Sequence, residues 1–306
     1  MSANAHFAPE AFAQGPANSS SDHCLQLHDG RNVCFREFGA ADGFPVIALH
    51  GTPGSRLKFA ATHDCAAGLK LRMICPDRWG YGGSDVADKP TLACYAFDIE
   101  QLADQLGLET FSVAGISGGG PFAAAVAAGL GTRVQKLALI SPVGPIAGVV
   151  SPSELRPFHR FCFTVLPRVP SAVAAAFGFY RVALAVAPGA AILMSAQRSA
   201  RVDRATLRDR QIRDSLSRAF RAGLAGGVQG PVLDLQLFAA PWDVALSRTS
   251  AASRLWHGTA DRNVSLAAAL QLGAAIGAEL TLLEGEGHFW FSRHFGKVLN
   301  WIAPNG

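Results

Sequence analysis

Short apolar runs without polar alternation recur along this chain, each giving way to a stretch with helical spacing, and that alternation constrains the fold more than any other feature. The runs are Leu25–Leu27, Val33–Phe38, Val46–Leu49, Met73–Cys75, Phe111–Ala114, Lys136–Ile140, Leu255–His257 and Leu280–Leu283. Uninterrupted apolar runs of this length read as strands buried on both faces. Helical patterns fall between them at Leu57–Gly68, Thr91–Leu106, Pro121–Gly129 and Leu266–Ile276, with a last one near Lys297–Ile302. The order predicts an α/β fold, a mostly parallel central sheet of about eight strands with helices on both faces. In such sheets ligands bind beyond the carboxyl ends of the strands, so the residues that follow each strand are the ones to inspect.

The alternation stops between Ser141 and about Ala245. That stretch reads as helices only, at Ser153–Leu166, Ala172–Ala187, Ala200–Leu224 and Pro231–Ala240. An all-helical insertion between two strands is expected to sit as a cap over the strand ends. The expected division is a loose arm over 1–23, a core over 24–144 and 241–306, and the cap over 145–240. Charge supports the division: residues 145–240 hold 12 Arg, no Lys and 5 acidic residues, a balance of +7, against −3 for the remainder. Arg201, Arg204, Arg208, Arg213 and Arg218 share one predicted helix with Ala205, Ile212, Leu216 and Ala219. A solvated arginine face over an apolar stripe accounts for that pattern without a partner. The apolar region from Ala172 to Met194 is interrupted by Arg181 and Pro188. Its runs fall short of the ~18–20 residues a membrane-crossing helix needs, so it reads as a buried helical hairpin without stable membrane insertion.

With 49% hydrophobic and 16% charged residues, the chain can bury a core, which excludes disorder for its bulk. A net charge of +4 is too small to indicate a nucleic-acid partner. Cys24, Cys34, Cys65, Cys75, Cys94 and Cys162 are spread without a C-x-x-C pair, excluding a disulfide scaffold, a thioredoxin-like motif and a zinc knuckle. The expectation is reduced, mostly buried thiols in a cytoplasmic protein. The first twenty-odd residues lack the charged start and apolar stretch of a secretion signal.

Directly after the Phe111–Ala114 run stands Gly115-Ile116-Ser117-Gly118-Gly119. G-x-S-x-G alone is weak in a chain with 32 glycines, but here a strand precedes it and the helical FAAAVAA follows. A sharp strand-to-helix turn of that kind lifts a serine hydroxyl clear of the sheet and aims a helix N-terminus at developing negative charge. The hydroxyl needs a base, and His288, in Glu286-Gly287-His288-Phe289, follows the last predicted strand. The imidazole needs a carboxylate to fix its tautomer. Asp261 follows the Leu255–His257 strand and completes the order Ser117, Asp261, His288, with Asp234 and Glu286 as rivals. His50 and His257 each precede a glycine at a strand end and read as holders of backbone turns. A tetrahedral intermediate needs two N–H donors, expected from Gly118 and from Thr52 in His50-Gly51-Thr52-Pro53-Gly54-Ser55.

With these residues in place the chain resembles the α/β-hydrolase fold superfamily over roughly residues 24–145 and 240–303, the helical insertion occupying the usual cap position. Pro76-Asp77-Arg78-Trp79-Gly80-Tyr81-Gly82-Gly83-Ser84 is similar to the D-R-P-G-x-G-x-S loop of many members, with Trp79 where proline is usual. Pro241-Trp242 at the end of the cap is also familiar from the superfamily. The resemblance implies serine-dependent hydrolysis of a small-molecule acyl substrate, most simply an ester of a fairly hydrophobic compound, with no metal or organic cofactor. Ser117 excludes the dehalogenases and epoxide hydrolases of this fold, which use aspartate. Proline iminopeptidases resemble the chain at H-G-x-P-G. Their usual G-G-S-W-G elbow is not matched, and the cap offers only Glu154, Asp203, Asp209, Asp214 and Asp234 to hold a substrate amine. C–C bond hydrolysis, a non-hydrolytic biosynthetic use of the triad, and a catalytically silent ligand-binding role stay open. The cap aromatics Phe158, Phe161 and Phe177 are candidates to line an apolar pocket.

Overall fold

The computed structural model describes residues 22–148 and 155–304. All but the last two residues of the expected N-terminal arm, and the start of the helix expected at Ser153, lie outside the described residues.

Eight strands form one sheet: β1 (Asp22–Gln26), β2 (Asn32–Gly39), β3 (Phe44–Leu49), β4 (Leu71–Pro76), β5 (Phe111–Ile116), β6 (Val134–Ile140), β7 (Ala252–Gly258) and β8 (Glu279–Leu283). Their order is β1-β2-β4-β3-β5-β6-β7-β8. β2 pairs antiparallel with both β1 and β4, and every other pairing is parallel. Every residue of β5 is buried, as its uninterrupted apolar sequence requires. β8 departs from the expectation of burial on both faces: it is the sheet's edge, and Leu280 and Leu282 are exposed. The chain runs from β3 outward to β4 and returns to β5 on the other side of β3. The crevice between the β3 and β5 ends is therefore the topological switch point, where such sheets hold their ligands.

The helices are α1 (His63–Gly68), α2 (Leu92–Gln105), α3 (Gly120–Leu130), α4 (Pro157–Arg160), α5 (Pro170–Val186), α6 (Pro188–Ser195), α7 (Arg201–Thr206), α8 (Arg210–Gly223), α9 (Gln229–Ala239), α10 (Leu266–Ile276) and α11 (Phe291–Ile302). α3 is apolar on all sides and, from Gly120 through Ala128, wholly buried, so it must run through the interior. α10 starts where the Ser265 hydroxyl accepts from the Ala268 amide and stops at Gly277, whose φ of 68° suits the glycine.

Helices α4 to α9 fill the interval between β6 and β7 as an all-helical cap, with two corrections to the sequence reading. The single helix expected over Ala200–Leu224 breaks after Thr206, and the Asp209 carboxylate caps a new helix by accepting from the Gln211 and Ile212 amides. The break shifts the helical phase: Ile212, Leu216 and Ala219 are buried, but Ala205 faces solvent and Leu207 takes its place inside. The hairpin of α5 and α6 is also not buried as expected. Only Val173 and Leu184 of α5 are buried, while Phe179 is 67% and Val186 81% exposed. Among the described residues no single helix is long and apolar enough to cross a membrane; one pair, Pro157–Arg168 with Pro170–Val186, passes on length and composition only when joined across a 114° bend.

The cysteines give a further correction. Cys24 and Cys34 face each other across β1 and β2 and are joined by a disulfide. Of the four remaining cysteines, Cys65, Cys75, Cys94 and Cys162, Cys75 alone is buried. Pairing across a strand register leaves no spacing signature, so the linear pattern could not reveal it.

Candidate active site

Ser117 follows β5 directly and has φ of 53°, a left-handed conformation that a non-glycine residue adopts only under strain. The turn closes because its glycines leave no room for side chains. A Cβ on Gly115 would lie 2.6 Å from the Gly119 carbonyl oxygen, and one on Gly119 would strike the Leu49 carbonyl of β3. The loop after β3 meets the elbow from the other side. A Cβ on Gly51 would sit 3.1 Å from that of Ser117, and one on Gly118 would collide with the Thr52 hydroxyl. Thr52 and Gly118 are thus neighbours, and among the described residues neither amide is spent on a hydrogen bond. Ser112, buried and without a hydrogen-bond partner for its hydroxyl among the described residues, belongs to the opposite, amino-terminal end of β5 and lies beneath the site rather than in it.

Across the crevice, the loops after β7 and β8 bring Asp261 and His288 together. His288 Nδ1 lies 2.8 Å from Asp261 Oδ2, and both side chains are buried. The other carboxylate oxygen accepts from the Asn263 amide at 2.7 Å and the Val264 amide at 3.2 Å, which fixes its direction. Burial opposes charge on each group, but their mutual attraction prevails: Asp261 is held below the usual carboxylate range and His288 above the usual imidazole range. With Nδ1 bound to the carboxylate, Nε2 is left as the basic nitrogen. Among the described residues, no hydrogen bond joins Ser117 to His288. Of the rivals, Asp234 is engaged elsewhere, and Glu286 lends the loop its carbonyl, which accepts from the Ala260 amide.

His50 holds a turn: Nδ1 bonds the Gly51 carbonyl at 2.9 Å, and Nε2 accepts from the Arg78 amide at 3.0 Å. His257 does not. Its ring nitrogens have no hydrogen-bond partner among the described residues, Nε2 lies 3.7 Å from Asp261 Oδ2, and burial pushes its pKa down to about 4. It is a neutral ring packed behind the carboxylate.

Two cap carboxylates reach the site, and neither role is visible in the linear sequence. Asp234 of α9 receives the fully buried Arg78 guanidinium at 2.6 and 2.8 Å, the Tyr81 hydroxyl at 2.7 Å, and the Thr52 hydroxyl. Arg78 also donates to the carbonyls of His50 at 2.8 Å and Gly51 at 3.2 Å, so it ties the loop bearing Thr52 to the cap. Asp203 of α7 accepts from the Phe289 amide at 2.8 Å and packs against Gly287 where any side chain would collide with it. Its second oxygen is buried with no hydrogen-bond partner among the described residues; burial raises its pKa, and its charge adds to that of Asp261 in favouring protonated His288. Of the pocket candidates, Phe158 and Phe161 are exposed and Phe177 is half-buried. Phe158 stands under the Arg198 guanidinium at 4.8 Å, beside His159, whose Nε2 bonds the Arg262 carbonyl of the Asp261 loop at 2.9 Å.

Residues 45–292 match the alpha/beta hydrolase fold family. Among curated proteins, a non-heme chloroperoxidase from Streptomyces lividans is 32% identical over 126 residues, 39% of this chain and 44% of that protein. A proline iminopeptidase from Xanthomonas citri is 36% identical over 110 residues, 34% of each chain. The matched stretch thus spans less than half the length of these curated relatives. Among solved structures, an alpha/beta hydrolase fold protein from Nakamurella multipartita superposes with a TM-score of 0.68 at 24% identity, covering 92% of this chain and 98% of its own.

Proposed function

This chain belongs to the α/β-hydrolase fold family, and from that premise we propose that it is a serine hydrolase acting on a carboxylic ester of a fairly hydrophobic small molecule. Ser117 Oγ attacks the carbonyl carbon while His288 Nε2 takes its proton. Asp261 holds the ring through Nδ1 and stabilises the imidazolium. The amides of Thr52 and Gly118 receive the oxyanion. His288 then protonates the leaving alcohol, and a water activated by the same nitrogen releases the acid from the acyl-enzyme.

The observation that carries the reading is the buried 2.8 Å Asp261–His288 contact, formed at the same carboxyl edge of the sheet as the strained elbow serine. Hydrogen bonds between nucleophile and base are often long or absent before substrate binds, so the missing Ser117–His288 bond is consistent with it. The similarity to proline iminopeptidases raises aminopeptidase activity as a second reading. Against it, Asp234 is saturated by Arg78, Tyr81 and Thr52, which removes that buried cap carboxylate from the task of holding a substrate amine. The cytoplasmic placement loses the basis it had in reduced thiols, because reducing compartments disfavour a bond such as Cys24–Cys34.

The test is a panel of activated esters, thioesters and prolyl amides run on the wild type and Ser117→Ala. Ester turnover is expected to lead, and the substitution to lower kcat by roughly 10⁴- to 10⁶-fold with an unchanged circular dichroism spectrum. Ester hydrolysis that survives the substitution would refute the assignment.

A further inference from the structure

One cation beside the site has no part in the chemistry above. Lys58 lies in the short 3-10 helical segment Arg56–Thr62, which leaves the loop carrying Thr52. Its ammonium stands 4.7 Å from the centroid of the Phe291 ring, and that ring is 6.2 Å from the His288 ring. The charge is close enough to oppose protonation of both His50 and His288. Among the described residues no carboxylate pairs with it. Among the buried acids around the site, Asp77 pairs with Arg56, Asp234 with Arg78 and Asp261 with His288, and among the described residues no ion pair joins Asp203 to Lys58.

A lysine so placed is unusual, because crowding without a counter-charge disfavours its charged form; burial pushes it down to about 7. Lys58 as a residue is nevertheless only half-buried, which leaves part of it open to an incoming group. An anion at that point would restore the charge and supply the partner that the protein does not.

We propose that Lys58 receives a carboxylate on the substrate, so that the preferred ester carries a carboxylate at the far end of an apolar chain. This rests on Ser117 as nucleophile and adds the class of ester it serves.

The experiment compares 4-nitrophenyl hydrogen adipate with 4-nitrophenyl hexanoate, acyl chains of equal length with and without the terminal carboxylate. The wild type, Lys58→Met, Lys58→Gln and Lys58→Arg are assayed on both. A charge-assisted contact is worth on the order of tenfold in kcat/KM. Lys58→Met and Lys58→Gln should lower the adipate-to-hexanoate ratio of kcat/KM by that factor through KM on the adipate, beyond any change both esters share through His288, and Lys58→Arg should retain most of the ratio. Equal losses on both esters, or no loss on either, would overturn the proposal. Calorimetric binding of adipamic acid against hexanamide gives a readout without turnover: the acid should bind more weakly to Lys58→Met and the amide unchanged, and equal binding of the acid to both proteins would be contrary. Hexanoate hydrolysis by the wild type and its loss in Ser117→Ala report separately on the underlying reading.

Discussion

The cap grips the core at two carboxylates, and the two grips are built differently. At the Thr52 end, Asp234 has a full set of partners, an arginine fork and two hydroxyls, and its charge is matched. At the His288 end, Asp203 has only the backbone amides of Phe289 and His288 beside it, and among the described residues no side chain donates to it. The first is a rivet whose charge is matched by that of Arg78. The second holds a charge that its surroundings disfavour, next to His288, the proposed base. One cap thus contributes rigidity to the Thr52 loop and an electrostatic bias to His288.

The largest effect expected from breaking this contrast is on stability. Asp234→Ala leaves the Arg78 guanidinium charged, buried and unpaired, which costs about 3–5 kcal/mol. Urea unfolding should show that loss, with any residual activity reduced because the Thr52 loop is no longer held. Asp203→Asn should behave oppositely. A carboxyl whose pKa is raised on folding binds its proton more tightly in the native state, so its ionised form weakens the fold as pH rises through that raised value. Removing the charge should therefore change stability at pH 8 by less than about 1 kcal/mol, and not in the destabilising direction. Its signature is kinetic: His288 must be neutral to act as a base, so the acid limb of kcat/KM, placed above the ordinary imidazole range by Asp261 and Asp203, should move to lower pH in Asp203→Asn. An unmoved limb would reduce Asp203 to a packing contact.

What the linear sequence reveals follows the reach of each interaction. The elbow at Gly115–Gly119, and the strand-end positions of Asp261 and His288, are local patterns of glycine and apolar spacing, and the structure has them where those patterns lead. The cap grips are invisible because their partners are remote: Arg78 and Asp234 are 156 residues apart, and Asp203 and Phe289 are 86 apart. The same holds for Cys24 with Cys34, which only strand register aligns. The break before α8 did have a local signal, since Asp209 is a capping residue, but an unbroken run of arginines and apolar residues at helical spacing obscures it. The exposure of α5 is a matter of tertiary placement, for its apolar sequence alone argues for burial.

The most direct measurement is fluorophosphonate labelling followed by mass mapping of the modified peptide. Such reagents modify a serine only where a base and an oxyanion site activate it. The account requires one adduct per chain, on Ser117, absent in Ser117→Ala and slowed strongly in His288→Ala. A folded wild-type protein that stays unlabelled, or one modified at another serine, would contradict it.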